Sequence, residues 1–202
     1  MSDNLNQELR ANTLLFVSSK FMTAAGIAGL EAGSAPFNLH KHTIDGNVVA
    51  RLAPWNANAG ELPLLGYWVP QGGSCLVPVD PGARIFVFTP DFSGCHIRVD
   101  QIDAGNYRVY HVQGGGNYMQ TEYQQGPHDH GLGLAGQLDF DDYGTAQLPR
   151  AFAFLKFENT EWKIYYQSQN GVGLGFAEGV LRAIGQQTVR GGGIKDVAKL
   201  NV

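Results

Sequence analysis

The sequence predicts a single-domain α/β protein with a mixed, largely antiparallel β-sheet core and few helices. Three observations predict it. Short β-branched or aromatic runs, bounded by Gly, Pro or Asp, recur through most of the chain. Apolar residues make up 44% of the 202 positions, which suits one compact domain with a substantial core. The 27 glycines fall in short clusters without a strict period, as tight turns between strands require. With no internal repeat, linker or low-complexity block, residues 1–202 read as one domain.

The elements follow in order. A short helix is expected from Ser2, with Leu5 and Leu9 on one face. Thr13 to Ser18 reads as a buried strand, and Phe21 to Gly33 as a loop or a Gly-broken helix. Strands are expected over Val48–Leu52, Leu64–Val69, Leu76–Val79, Arg84–Thr89, His96–Ile102 and Tyr107–Gln113. Gly114-Gly115-Gly116 breaks the chain, and Gly126 to Tyr143 looks irregular. Ala151–Phe157 and Trp162–Gln167 flank Glu158-Asn159-Thr160-Glu161, which reads as a hairpin. Gly175 to Val189 is read as a helix, with Phe176, Val180, Leu181 and Ile184 on one face.

Charged residues are only 16% and the formal net charge is -4, so there is no basic footprint for nucleic acid. No apolar stretch approaches the roughly 18 residues of a membrane span. Met1 to Leu5 lacks the basic start and apolar run of a secretory signal. Two cysteines are too few for a disulfide framework, and a single Cys75–Cys95 bridge is the one pairing available. Free thiols without a signal suit a reducing compartment; export by a route that leaves no N-terminal mark stays open.

The segment Ile85 to Cys95 carries the chemical signal. A buried strand runs into Pro90 and Asp91, which turn the chain, and Ser93-Gly94 then delivers a thiol just past the turn. That arrangement gives a nucleophile rigid support, while Gly94, without a side chain, lets a substrate carbonyl approach. The Cys95 amide would face a developing oxyanion. A thiol also needs a base or cation to become a thiolate. His111 lies on the next expected strand, with Asp103-Ala104-Gly105-Asn106 as the turn. The simplest register sets His111 opposite Arg98, on the wrong face. A shift of one residue sets it opposite Ile97, diagonal to Cys95 on one face. His96 should point to the other face. Against all this stands the plain alternative that Cys95 is a small core hydrophobe.

The segment Phe92-Ser93-Gly94-Cys95 resembles the Leu-Ser-Gly-Cys motif of the glutamine-deamidase toxins related to Burkholderia lethal factor 1 and, more distantly, the catalytic domain of cytotoxic necrotizing factor. Phe88-Thr89 and Tyr67-Trp68-Val69-Pro70 extend the resemblance upstream, over roughly Leu64 to Gln113. Phe stands at 92 in place of Leu, and the Cys-to-His interval is longer than in the lethal factor. The resemblance implies a cysteine-dependent protein glutamine deamidase, a hydrolase of side-chain amides acting without a cofactor. Cys95 would be the nucleophile and His111 its base, with the hydroxyl or carbonyl of Thr89 orienting the imidazole. Ser93 and Gly94 would meet the substrate. The implied partner is a target protein carrying the susceptible Gln, a host translation factor or a small GTPase. The implied setting is a bacterial toxin or effector, made in the bacterial cytoplasm and acting in host cytosol.

Other candidates carry less. His40-Lys41-His42 and His128-Asp129-His130 are His-x-His pairs that can supply metal ligands, but no acid follows at a metal-site spacing, so solvated loop histidines are expected. Asp139, Asp141 and Asp142 read as an acidic turn facing solvent. Cys75 reads as a loop or partly buried thiol, and the hairpin around Trp162, Tyr165 and Tyr166 as sheet core. The rival functions are a non-catalytic β-rich binding module and a metalloprotein using the paired histidines.

Overall fold

The computed structural model describes residues 4–57, 61–171 and 173–201. Helix α1 spans Leu5–Ala11 and is capped by Asn4, whose side chain accepts from the Gln7 amide at 2.9 Å. Ser2, the expected start, lies outside the described residues. The second element corrects the sequence reading. Thr13–Ser19 is helix α2, not a strand, because Asn12 caps it by accepting from the Leu15 amide at 3.1 Å. A short apolar run fits either state, and here the cap decides.

Fifteen strands form three sheets among the described residues. The largest contains β1 (Phe21–Thr23), β2 (Gly33–Ile44), β3 (Asn47–Pro54), β4 (Leu64–Trp68), β6 (Phe86–Phe88), β7 (Phe92–Ser93), β11 (Arg150–Glu158), β12 (Glu161–Gln169) and β15 (Val189–Asp196). Its order is β1-β3-β2-β4-β6-β11-β12-β15, with β7 also paired to β11. Only β1–β3 and β4–β6 are parallel, so the core is the mixed, largely antiparallel sheet that the sequence predicts. A four-stranded sheet, in the order β10-β8-β9-β5, holds β5 (Ser74–Pro78), β8 (His96–Gln101), β9 (Asn106–Val112) and β10 (Gly133–Leu138).

Strand β11 explains how the layers stack. Its Ala151, Ala153 and Leu155 join a core with Ile97, Val99 and Val109 of the four-stranded sheet. Its Phe152 and Phe154 point the other way, into a core with Leu5, Leu9, Phe16 and Val17 of the helices. A strand covered on both faces reads as an unbroken apolar run, as Ala151 to Phe157 nearly does. Helices, large sheet and small sheet therefore form three layers. Lys156, 6% exposed, interrupts the run and crosses to the helices, donating to Thr13 Oγ1 at 2.8 Å and the Arg10 carbonyl at 3.1 Å. Glu158 balances its charge at 2.9 Å.

Three more readings are corrected. Gly175–Val189 is not a helix but most of a hairpin, β13 (Gly173–Ala177) and β14 (Val180–Ile184), followed by the start of β15. Glu178 and Gly179, both at positive φ, make its two-residue turn. Phe176 and Leu181, paired across it, are half-buried, while Ala177 and Val180 are exposed, a period of two. The irregular stretch Gly126–Tyr143 contains β10 and the short helix α3 (Phe140–Tyr143). Gly133 and Gly136, with a register shift between Leu134 and Gly136, hide that strand from a propensity reading. The loop over Phe21–Gly33 contains β1, which is held by side chains: Gln167 Oε1 accepts from the Met22 amide at 2.7 Å.

Candidate active site

The register of β8 on β9 brings the candidate residues together. Ile97 pairs with His111 and Gln101 with Tyr107, which sets Ile102 opposite Asn106 and leaves residues 103–105 as the turn. That turn is one residue shorter than the expected Asp103–Asn106 turn. The Ile102 amide donates to the Asn106 carbonyl at 2.9 Å, and the Gly105 amide to Asp103 Oδ1 at 2.7 Å. That difference of one residue shifts the register by one, which turns His111 from the Arg98 position to the face of Ile97. Cys95 immediately precedes β8 on that same face, diagonal to His111, and both point between the two sheets. His96 faces away, as expected, with Nδ1 on Asp139 Oδ1 at 3.0 Å beside Arg98 at 2.6 Å.

The turn into Cys95 is fixed by buried contacts. Asp91 accepts from Thr23 Oγ1 at 2.5 Å and the Ala24 amide at 2.6 Å, with Arg150 at 3.5 Å. Phe92 stacks on the His111 ring with centroids 4.6 Å apart. Ser93 is exposed, and Gly94 takes φ +85, a conformation that favours glycine. Gly114 lies against it so closely that a Cβ there would be 2.3 Å from the Gly94 carbonyl carbon and oxygen. Tyr143 OH donates to the Cys95 carbonyl at 2.7 Å, fixing the peptide that follows the thiol.

Thr89 orients the imidazole through its hydroxyl. Oγ1 donates its one proton to the Val69 carbonyl at 2.8 Å and lies 2.5 Å from His111 Nδ1. A hydroxyl whose proton is committed can only accept, so Nδ1 carries the hydrogen and Nε2 has the lone pair. Nε2 is buried with no hydrogen-bond partner among the described residues, Cys95 Sγ included. The backbone of His111 is held on both sides by the Gly72-Gly73 turn, at 2.9 and 3.0 Å.

Burial sets the charge states. His111, 1% exposed, has its pKa pushed down to about 3 by loss of solvent and then by nearby His96. Burial raises the Cys95 thiol, 3% exposed; the amides of Ser93 and Gly114 offset this in part, and the Glu122 carboxylate adds to it. The resting pair is a neutral thiol and a neutral imidazole, because removal from water disfavours both charges.

The remaining candidates separate. Cys75 is not a loop thiol: it is buried on β5 opposite Val109. Cys95 lies before the His96–Val112 pair, so the ladder holds the two thiols apart and both are free. His40 and His42 are on β2 rather than in a loop, and His42 Nε2 accepts from Arg51 Nε at 3.3 Å. An arginine between two imidazoles repels a cation. Among the described residues no group of three His, Cys, Asp or Glu side chains is placed to hold a metal ion. Asp139 and Asp142 are not simply solvated: they engage Arg98 and Lys195. Trp162 and Tyr165 are core, as expected. The sequence reading missed Gly114 and Glu122, treating the Gly114-Gly115-Gly116 run only as a chain break. In comparison with known proteins, the chain matches no protein-family model, and no curated protein is significantly similar to it.

Proposed function

We propose that the protein is a cysteine-dependent protein glutamine deamidase, a bacterial toxin or effector that acts on a host protein. One observation carries this reading: Cys95 and His111 share one buried face, and Thr89 fixes the imidazole in the tautomer whose Nε2 can take a proton. The proposed reaction starts when a glutamine side chain reaches the pair. Nε2 removes the Cys95 proton, and Sγ attacks the amide carbon to give a tetrahedral oxyanion. Backbone amides beside the thiol, those of Cys95 and Gly114, stabilise that charge. The carbon–nitrogen bond breaks as the imidazolium protonates the departing ammonia, leaving a thioester. His111 then takes a proton from water, whose oxygen attacks the thioester. Glu is released and the thiol regenerated. The groups stay neutral until substrate arrives, so the nucleophile is made by proton transfer within the complex rather than held ready.

The test is ammonia release, or a Gln-to-Glu mass change, in host-cell lysate treated with the protein. Cys95→Ser should abolish the change and leave the fold nearly unaltered, since a hydroxyl is far harder to ionise in a site tuned for sulfur. Loss of stability in Cys95→Ser, with no amide hydrolysis by the wild type, would make Cys95 a packing residue instead.

A further inference from the structure

The β13–β14 hairpin is lightly held, and titratable groups lie beneath it. No residue from Gly173 to Gln186 is buried, so apolar packing does little to hold it down. Gly171 and Gly185, both at positive φ, stand at its two ends. Asn170 ties its base to Thr188, through its amide at 2.9 Å and its side chain at 3.0 Å. Farther along β13, Phe176 reaches the large sheet. A Cβ on Gly26 would lie 2.6 Å from the Phe176 ring. The guanidinium carbon of Arg51 sits 3.8 Å from the ring centroid, and the His42 ring meets it edge-on with centroids 6.1 Å apart.

An imidazole holds Arg51 in that stack. Arg51 pairs with His40 across β3 and β2, so Arg51, His40 and His42 share one face of the sheet. Arg51 is 9% exposed, and its Nε donates to His42 Nε2 at 3.3 Å. That bond exists only while Nε2 carries a lone pair. Arg51 and His40 both disfavour a proton on His42, and Glu61 acts on His40. The other charges nearby point elsewhere. Lys41 alternates to the opposite face of β2, and Arg182 pairs with Gly175 on the hairpin face away from Phe176. Asp45 and Glu178 stand in exposed turns, and residues 24–27 carry no charge. We propose that the hairpin is an acid-released flap: protonation of His42 turns the acceptor that orients Arg51 into a donor, breaks the stack on Phe176, and frees β13–β14 about its glycine-flanked base. Burial, then Arg51 and His40, holds the docked imidazole below its ordinary value of 6.5. Lifting the ring admits water, screens the repulsion and restores that value. Docking is therefore fully favoured above pH ~6.5 and weakens as the pH falls below it.

The test is limited thermolysin digestion of the full chain at pH ~7.5 and pH ~5.5, with cuts within residues 173–184 followed by mass spectrometry. Each rate is divided by that of His42→Gln, which keeps an acceptor for Arg51 and does not titrate, so the pH dependence of the protease cancels. The ratio should be near one at pH ~7.5 and about three- to tenfold at pH ~5.5, since one titrating group gives at most about tenfold per pH unit. Cuts within β11 and β12 should not rise, which separates release of the hairpin from acid unfolding of the core. Phe176→Leu removes the ring that covers Arg51, and its hairpin should be cut faster than the wild type at both pH values. A ratio near one at both pH values would overturn the flap, as would an equal rise in cuts within β11 and β12. Loss of the acid response in His40→Gln, with retention in His42→Gln, would overturn the assignment to His42. If His42→Gln does not fold, Phe176→Leu becomes the reference, and a wild-type rate that does not approach it on acidification would overturn the flap.

Discussion

Acid should destabilise the protein through His111, by an amount its burial fixes. The imidazole titrates at about 3 in the folded state, against an ordinary value of 6.5. Between those values the unfolded chain binds the proton and the folded one does not, so stability rises with pH there and falls on acidification. The contribution is fully present above pH ~6.5 and is lost progressively toward pH ~3. Each pH unit inside that window is worth about 1.4 kcal/mol, so moving from about pH 7 to about pH 4.5 should remove about 2.7 kcal/mol. Urea unfolding followed by tryptophan fluorescence at both pH values measures it, since Trp68 and Trp162 are buried. Asp91, which burial pushes up, works in the opposite direction, so the wild type alone is not decisive. The comparison is with His111→Asn, which keeps a donor for Thr89 and does not titrate. The wild type should lose about 2.7 kcal/mol more than the variant over the same interval. Equal losses would show that His111 is accessible to protons in the folded state, and the enclosed neutral pair would be wrong.

Further outcomes follow from single contacts. Thr89→Val removes the hydroxyl that accepts from Nδ1 and satisfies the Val69 carbonyl; it should cost about 1–3 kcal/mol in urea unfolding and cut ammonia release more than substrate affinity. An unchanged kcat would remove Thr89 from the site. Gly114→Ala drives a Cβ into the Gly94 backbone and should destabilise by about 1–3 kcal/mol, whereas Gly115→Asn, at positive φ with open space, should cost under about 1 kcal/mol. Equal costs in thermal melts would remove that contact as a constraint on the Cys95 loop. Phe154→Ala, in the core between the large sheet and the helices, should cost about 3–5 kcal/mol, and a smaller loss would mean that the helices close the cavity.

Much of this arrangement is legible in the chain. Strand propensity and turn residues give the hairpin of β11 and β12, the strand that follows Cys95 and the strand that carries His111, because long β-branched and aromatic runs admit few alternatives. Register is harder. Whether His111 faces Cys95 depends on one residue in the connection after Gln101, and backbone bonds among Ile102, Asp103 and Asn106 decide it rather than side-chain pattern. Helix α2 is misread because Thr13 to Val17 is apolar enough for a strand, and the Asn12 cap is a local bond that propensity does not weigh. The β13–β14 hairpin is misread because Phe176, Val180 and Ile184 fall at helical spacing by coincidence, while Glu178-Gly179 carries the turn. Glu122 has no signal at all: a lone acid in a polar stretch becomes notable only when the fold brings it onto the Gln113 amide.

The long-range tethers of the first two helices also bear on how the chain is made. Lys156 reaches Thr13 and Arg10, and Gln167 donates to the Val17 and Lys20 carbonyls, partners 143 to 150 residues apart in sequence. A ribosome adding roughly 5–20 residues per second needs about 7–30 seconds to extend the chain from one partner to the other. For that interval the apolar stripe of Leu5, Leu9, Phe16 and Val17 lacks Phe152, Phe154 and Tyr165, the part of its cover that β11 and β12 supply. Vectorial synthesis therefore leaves the first part of the protein waiting for nearly the last. Nascent chains arrested before Arg150 should be cut readily by protease within residues 4–24, while chains released with β12 complete should resist. Equal resistance in both would mean that the helices find an earlier resting place on β2 and β3.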